Sequence, residues 1–486
     1  MSKEIRQLEP KTVWNKFADL NAVPRPSKKE ERVIQFMLDF GTSLKLETFK
    51  DAVGNVIIRK PASKGMETRK MITLQSHLDM VHQKNTDTNF DFDAQGIQMY
   101  IDGDWVKANG TTLGADNGMG VAAIMALLES TTISHPALEA LFTIDEETGM
   151  TGAMGLEAGV LKGEILLNLD TEEDDELDIG CAGGVDITAT GEYAEELVNK
   201  NAIAYQITVK GLNGGHSGIE IHKGLGNANK IMNRLLYNGM EQYAIKINEI
   251  NGGSLRNAIP RESFSKIVID TLDINSFEND FKDWGLAINK ELTVIEPGLL
   301  IELKPIGAPE RIMEASAQEK IIKAIYGAYN GVYTMSASIK DLVETSNNVA
   351  RVVVGNGKIH VGCLTRSSVD SAKWDLANAL KATFELAGCV VSFGGNYPGW
   401  NPNPDSDILK VLIAQYELLF NEKPKVAACH AGLECGILGQ NYPDMDMISF
   451  GPTIEGAHSP DERVSIASVQ KFWKFLLEIL QHTPAS

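Results

Sequence analysis

A histidine and an aspartate stand two residues apart, at His77 and Asp79, shortly after the apolar run at residues 71–74. On an extended chain two side chains at this spacing point to the same face. An imidazole is a good zinc ligand, and a nearby carboxylate can orient it. Taken alone, the pair is equally typical of an ordinary polar surface loop, so it indicates a metal site only together with other residues.

A glycine-rich segment, Gly-Ala-Asp-Asn-Gly at 114–118, opens a second stretch that is apolar nearly all round, at 119–128. Glycines let a backbone turn sharply and approach a ligand closely. Asp116 could therefore face a bound group, but Asp116 or Asn117 could also simply cap the following helix.

Three consecutive acids, Asp145, Glu146 and Glu147, follow a third apolar run at 141–144. Neighbouring carboxylates repel each other unless cations are near. The segment is either a solvated acidic turn or a glutamate base placed beside a glutamate metal ligand.

Two further candidates follow apolar runs. Asp170 comes directly after the run at 165–167, and we separate it from the acidic run at 172–176, which we interpret as a solvated loop. His458 follows the run at 445–450, although a single loop histidine is usually just a polar surface residue.

The apolar runs that precede these residues predict buried strands, and the stretch 119–128 predicts a buried helix between two of them. Strands that alternate with helices indicate an α/β sheet covered on both faces, where ligands bind beyond the carboxyl ends of the strands. Two histidines, two aspartates and a pair of glutamates are about what two zinc ions with one bridging carboxylate need.

The pattern changes near residue 190, where residues 203–209 alternate as in a half-exposed strand. We predict an α+β lid domain at 187–395, inserted into an α/β catalytic domain formed by 1–186 and 396–486. Near the N-terminus, Ser27 and Glu30 have the spacing of a capping box for a helix that would end at Gly41.

Composition limits the function classes. The 486 residues carry a net charge of −20, which disfavours binding to nucleic acid or to an anionic membrane surface. The five cysteines lack Cys-x-x-Cys spacing and fit reduced thiols. The N-terminus has no apolar signal region, and no apolar run is long enough to span a membrane. We therefore expect a cytoplasmic protein.

The separated segments together resemble the co-catalytic zinc peptidases and deacylases of the aminoacylase and carboxypeptidase G type. Besides Asp170, the motifs that carry the resemblance are HLD at 77–79, GADNG at 114–118, DEETG at 145–149 and GAHSPDE at 456–462. Over its full length the chain is most similar to the aminoacyl-histidine dipeptidases, the carnosinase-like Xaa-His dipeptidases. This similarity extends from VWNKF at 13–17 and PRPSKKEE at 24–31 to HAGLECG at 430–436.

The resemblance implies two Zn²⁺ per chain, with Mn²⁺ or Co²⁺ as substitutes. The metal ligands that it implies are His77, Asp116, Glu147, Asp170 and His458. His77 and Asp170 would share one ion, Glu147 and His458 the other, and Asp116 would bridge them, commonly with a cis peptide to Asn117.

The resemblance also implies roles for residues that bind no metal. Glu146 would act as general base and acid, and Asp79 would orient His77. In the lid, His216 would stabilise the oxyanion, Asn257 would bind substrate, and Arg366 would hold the substrate carboxylate. Without the resemblance, His216 is typical of a turn histidine.

The reaction implied is the hydrolysis of small dipeptides, Xaa-His in particular, by a zinc-activated water. An N-acyl amino acid deacylase or an aminopeptidase on the same di-zinc centre are the alternatives, followed by a non-enzymatic metal-binding protein. The predicted lid is longer than that of the shorter dimeric relatives. Whether His216 serves its own chain, or a partner in a homodimer formed through the lid, is therefore open.

Overall fold

The structure, a computed structural model, describes residues 3–270 and 274–486. The chain divides into two compact units. The first unit holds the chain up to Gly180 together with Trp400–Ala428 and Leu433–Ser486, and the second holds Cys181–Gly399 and Cys429–Gly432. The assignment of 187–395 as a lid domain stays a prediction.

The first unit is built on an eight-stranded mixed sheet. Its strands, in spatial order, are Glu47–Lys50, Val56–Lys60, Leu138–Thr143, Ile72–His77, Ile165–Asn168, Asp446–Ser449, Glu176–Cys181 and Lys425–Cys429. The four central strands, from Leu138–Thr143 to Asp446–Ser449, run parallel. Their residues are almost entirely buried, which explains why the sequence shows them as short continuous apolar runs.

Helices and a small second sheet complete this unit. The helices are Lys11–Leu20, Glu31–Ser43, Ala115–Glu129, Glu146–Gly149, Thr151–Gly155, Asp407–Phe420, Glu434–Asn441 and Ile466–Gln481, with a 3₁₀ turn at Ile5–Gln7. The small sheet contains Ile454–Glu455, Arg463–Ser465, Trp105–Ala108 and Met99–Asp102. The apolar helix Ala115–Glu129 packs in one core cluster with Trp14 and Phe17, which accounts for its burial on nearly every side.

The second unit has a nine-stranded antiparallel sheet. In spatial order its strands are Leu300–Ile306, Ile203–Lys210, Ser263–Ile269, Lys246–Gly252, Val343–Gly355, Lys358–Ser367, Gly183–Glu192 and Val390–Tyr397, and Gly331–Met335 pairs with Val343–Gly355. Glu195–Leu197 pairs with Arg311–Met313. The helices are Ala228–Tyr243, Ile274–Leu292, Ala315–Gly327 and Asp370–Leu386, with a 3₁₀ turn at Ile221–Lys223. They pack on one side of the sheet in a single core cluster.

The predicted fold class, an α/β domain with a central mixed sheet and a large α+β insertion, is confirmed. The predicted capping box is wrong. The second helix begins at Glu31 without a side-chain cap and continues through Gly41 to Ser43. The hydroxyl of Ser27 donates instead to Asp79 at 2.8 Å, because the chain folds this turn against the loop after His77. Among the described residues, we find no helix with the length and apolar character that a membrane crossing requires.

Candidate metal centre

Three of the predicted site segments lie at the carboxyl ends of adjacent parallel strands. His77 is the last residue of Ile72–His77. Glu146 follows Leu138–Thr143 by three residues, and Asp170 follows Ile165–Asn168 by two. Since these strands are neighbours that run in the same direction, their ends meet at one edge of the sheet.

The structure brings the five predicted metal ligands into two groups that share Asp116. In the first group, Nε2 of His77 lies 3.1 Å from Oδ1 of Asp116 and 3.5 Å from Oδ1 of Asp170. In the second, Nε2 of His458 lies 3.0 Å from Oε2 of Glu147 and 3.1 Å from Oδ2 of Asp116. Within each group, the ligand atoms all lie within 4.8 Å of one another.

Asp116 directs one carboxylate oxygen to each histidine, which is the geometry that a bridging ligand needs. Asp116 and Asn117 have non-helical backbone angles, so they lie at the start of the regular helix, but both side-chain oxygens of Asp116 face histidines rather than the backbone N–H groups of a helix end. The peptide bond between Asp116 and Asn117 is cis, as the resemblance implied. The side-chain amide of Asn117 donates to Asp170 and, at 2.8 Å, to the carbonyl of Leu169.

The charges of these groups are strongly interdependent. Burial opposes a charged His77, but the carboxylates of Asp170 and Asp116 raise its pKa well above the usual range. Hydrogen bonds with Asp116 and Glu147 raise the pKa of His458 to about 11. Burial opposes ionisation of Asp116, yet the two histidines hold its pKa below the usual range. Such a cluster stays compact only when positive charge balances its carboxylates.

The residues present fit a divalent metal. Oε1 of Glu147 is buried and has no hydrogen-bond partner in the described part of the chain. A buried carboxylate oxygen without a partner is costly unless a cation satisfies it. Each group offers one imidazole nitrogen and carboxylate oxygens, and this donor set suits zinc as well as manganese and cobalt.

Asp79 contacts His77 on the ring nitrogen opposite to the one that faces Asp116. Nδ1 of His77 lies 3.1 Å from the carbonyl oxygen of Asp79 and 3.4 Å from its Oδ1, so Nε2 is left to face Asp116. Burial raises the pKa of the Asp79 carboxyl, but His77 and Ser27 outweigh it and lower the pKa overall. A carboxylate behind a histidine ligand fixes the ring and its tautomer.

The three consecutive acids have different surroundings. Asp145 has a left-handed backbone, with φ of 53°, and its carboxylate accepts hydrogen bonds from the hydroxyls of Thr148 and Thr151. It therefore shapes the turn. Burial raises the pKa of Glu146 well above the usual range, and Asp170 and Glu434 add to the rise. Burial and Asp116 likewise raise the pKa of Glu147.

Two carboxyl groups near the centre escaped the sequence analysis. Glu172 is half-buried, although Glu173 and Asp175 of the same run are exposed as the solvated-loop interpretation expects. Burial and the nearby charge of Asp116 raise the pKa of Glu172 to about 8. Glu434 is fully buried and accepts hydrogen bonds at 2.6 Å from Gln75 and from Thr143, while burial raises its pKa to about 8. The HAGLECG segment was the only sequence signal for Glu434.

In the second unit, the protonation of His216 is fixed by its own turn. Nδ1 accepts N–H groups from Gly218 at 3.2 Å and Ile219 at 3.0 Å. Since an N–H can only donate, the ring proton must lie on Nε2. Burial, with the charge of Arg366, lowers the pKa of His216 to about 4, so the ring is neutral near pH 7 and donates through Nε2.

The other two predicted lid residues lie in the same unit. The carbonyl of Asn257 accepts the N–H of Ser217 at 2.8 Å, which holds its loop beside His216, and Asn257 is exposed. Arg366 is 5% exposed; Nη1 donates to the hydroxyl of Tyr397 at 2.8 Å, while its buried Nε has no partner among the described residues. The Nε–H is therefore a buried donor that the described residues leave without an acceptor.

Comparison with known proteins agrees with this geometry. The cytosol non-specific dipeptidase of Escherichia coli (strain K12) is 43% identical over 485 residues, covering 99% of both chains. The crystal structure of an aminoacylhistidine dipeptidase from Vibrio alginolyticus superposes with a TM-score of 0.94 at 43% identity, covering 100% of this chain and 99% of that one. The aminopeptidase PepT of Bacillus cereus shares the fold, with a TM-score of 0.57 at 15% identity over 98% of both chains.

A family profile matches most of the chain, residues 73–482, and this span includes all ten predicted site residues. The chain therefore belongs to peptidase family M20/M25/M40.

Proposed function

We propose that this chain is a metal-dependent dipeptidase that hydrolyses Xaa-His dipeptides, β-alanyl-histidine among them. Two Zn²⁺ per chain would be its cofactors, with Mn²⁺ or Co²⁺ as substitutes. The observation that carries the proposal is the position of Asp116, whose two oxygens serve two ligand groups at the edge of the sheet. Metal ions held there would supply an activated water and polarise the scissile carbonyl.

Glu146 would transfer the proton. Its pKa lies well above the usual range because it is buried, so its carboxyl can hold a proton taken from water and return it to the leaving amine. The backbone N–H of Glu146 is anchored at 3.0 Å to Asp79, which limits the movement of this residue. Glu147, one residue later, faces His458 instead and is better suited as a ligand.

The lid residues would recognise the substrate. Nε2–H of His216 is a donor fixed by its turn, which suits a group that stabilises a developing oxyanion. Arg366 suits the carboxylate of a short peptide, because a guanidinium can bind a carboxylate through two parallel bonds and because its Nε has no acceptor within the described part of the chain. We assign Asn257, exposed beside this turn, to the substrate backbone.

The names of the two dipeptidase relatives state different substrate ranges. One is called a non-specific dipeptidase and the other an aminoacylhistidine dipeptidase. Their names support a dipeptidase over the deacylase and aminopeptidase alternatives, and the name of the E. coli relative supports a cytoplasmic location. We also propose that the chain forms a homodimer through the lid domain. Light scattering on the purified chain would test this.

The test is a release assay on the purified full chain. Free histidine is measured from β-alanyl-histidine and other Xaa-His dipeptides, beside dipeptides without histidine, a tripeptide and an N-acyl amino acid. Each assay is run with Zn²⁺, with chelator, and after Zn²⁺ is restored. Metal-dependent cleavage of dipeptides alone supports the proposal, and the ranking gives the histidine preference. Cleavage only of the N-acyl amino acid or only of the tripeptide would replace it with the corresponding alternative.

A further inference from the structure

A buried carboxylate holds the loop that leads into Asp116. Glu462 is 2% exposed and accepts backbone N–H groups from four consecutive residues. Its Oε2 accepts hydrogen bonds from the backbone N–H of Leu113 at 2.6 Å and of Gly114 at 2.9 Å. Its Oε1 accepts from the backbone N–H of Ala115 at 2.7 Å and of Asp116 at 3.2 Å. Both carboxylate oxygens are therefore occupied by donors, and hydrogen bonds to a charged acceptor are the stronger kind.

Arg25 fixes the same loop from another side. It is 1% exposed, and its Nη2 donates to the carbonyl of Gly114 at 2.5 Å. Its Nη1 donates at 3.1 Å to the carbonyls of both Leu78 and Asp79, in the loop after His77. One guanidinium thus joins the segment that carries His77 to the segment that carries Asp116.

The glycines of the Gly-Ala-Asp-Asn-Gly segment are explained by this arrangement. A Cβ on Gly114 would lie 2.5 Å from Nη2 of Arg25, and a Cβ on Gly118 would lie 2.6 Å from the same atom. Gly114 also has a left-handed φ of 69°. The glycines therefore make room for Arg25 and for the turn, whereas the sequence alone suggested room for a ligand.

Glu462 also belongs to the loop that carries His458. The turn between them is closed by the N–H of Glu462, which donates to the carbonyl of Ser459 at 3.1 Å. One short loop therefore contributes His458 to the second ligand group and, four residues later, the carboxylate that holds the backbone of Asp116. Any shift of this contact would change the distance between Asp116 and His458.

We propose that Glu462 is a positioning residue that holds the backbone of Asp116 in the place that metal binding requires, and that Arg25 supports the same loop. The inference rests on the metal centre of the proposed function. Because Asp116 belongs to both ligand groups, a loss of its position weakens both sites together. An amide at position 462 would turn one NH₂ group toward backbone N–H donors, which leaves donors facing donors.

The test measures Zn²⁺ affinity of the metal-free full chain by competition with a chromophoric chelator. The variants are Glu462→Gln and Glu462→Asp, and the matched control is Glu455→Gln, which removes a carboxylate from the exposed end of the same segment. Residues behind metal ligands typically contribute about 10–100-fold to metal affinity, so we expect a loss of this size in Glu462→Gln. Glu462→Asp keeps the charge and should lose less, and Glu455→Gln should match the wild type.

The outcomes separate this inference from the proposed function. If the wild type binds no Zn²⁺, the metal centre fails and this inference fails with it. If the wild type binds Zn²⁺ and a folded Glu462→Gln binds it equally well, only the positioning role is rejected. If neither Glu462 variant unfolds cooperatively in metal-free buffer, Glu462 serves the fold as a whole, and the specific role toward Asp116 is rejected.

Discussion

The carboxylate of Asp79 accepts the backbone N–H of Glu146 at 3.0 Å, although the two residues lie 67 positions apart. The same carboxylate accepts the N–H of Glu147 at 3.3 Å and lies 3.4 Å from Nδ1 of His77. One buried side chain thus ties the end of one strand to the turn after its neighbour. It links a proposed ligand to the proposed base.

We expect Asp79→Asn to weaken this link on both sides. An Asn offers only one acceptor oxygen. Its NH₂ group would therefore face either His77 and the N–H of Glu146, which share Oδ1, or the N–H of Glu147 and the hydroxyl of Ser27, which share Oδ2. The expected loss is about 10–100-fold in metal affinity or in activity. Metal titration and kcat/KM on a dipeptide measure it, with the exposed Asp87→Asn as control. Equal values for both variants would remove Asp79 from this role.

Glu146→Gln should keep the metal and lose the reaction. The amide has almost the same shape but cannot accept and return a proton, and a general acid–base group typically contributes about 10²–10⁴-fold. Metal content is measured by elemental analysis and turnover by histidine release. The exposed Glu157→Gln serves as the control for charge removal. High turnover in Glu146→Gln at unchanged metal content would assign the proton transfer to another group.

The sequence predicts the strand ends well because their signal is local. The buried strands Ile72–His77 and Ile165–Asn168 contain short apolar runs. Such runs can be recognised in the sequence without knowing which segments pack against them. The resemblance added the proposed distinction between Glu146 as base and Glu147 as ligand. Local pattern could not supply it, since it depends on the left-handed turn at Asp145 and on two threonine hydroxyls.

Contacts between distant segments could not be predicted from local pattern. Ser27 and Glu30 have the spacing of a capping box, but the hydroxyl of Ser27 donates a hydrogen bond to Asp79, 52 residues away. Glu462 reaches its four backbone donors across more than 340 residues, and Glu434 reaches Gln75 across 359. In sequence these acids resemble any polar residue of a loop or helix start, because only the fold shows which donors surround them.

His216→Ala tests the proposed oxyanion donor of the second unit. Since Nδ1 is occupied by two N–H groups, Nε2–H is the atom available to an oxyanion, and loss of one such donor typically lowers turnover by about 10²–10³-fold. We expect kcat to fall by this amount with much less change in KM. His222→Ala, an exposed histidine in the next turn, is the control. A change in KM alone would indicate ground-state binding instead.

Asp178, which is not one of the proposed metal ligands, should make the free energy of unfolding depend on pH. It is 5% exposed and accepts the hydroxyl of Thr171 at 2.9 Å. Burial raises its pKa to about 7, from an unfolded value of about 3.9. A folded pKa above the unfolded one means that the folded state binds the proton more tightly. The stability from this group is fully present below about pH 4 and is lost as the pH rises through about 7.

Asp178→Asn should remove this dependence, because an amide does not titrate and can still accept from Thr171. The free energy of unfolding of the variant, minus that of the wild type, should therefore rise from pH 5 to pH 7 by roughly 1.4 kcal/mol for each pH unit. Denaturant unfolding of both metal-free chains at several pH values measures the difference, with the exposed Asp175→Asn as control. A difference that stays constant with pH, or that falls, would mean that Asp178 is ionised in the folded chain at neutral pH. Its buried carboxylate would then need a positive partner, for which Lys425 is the candidate because its charge acts to lower the pKa of Asp178.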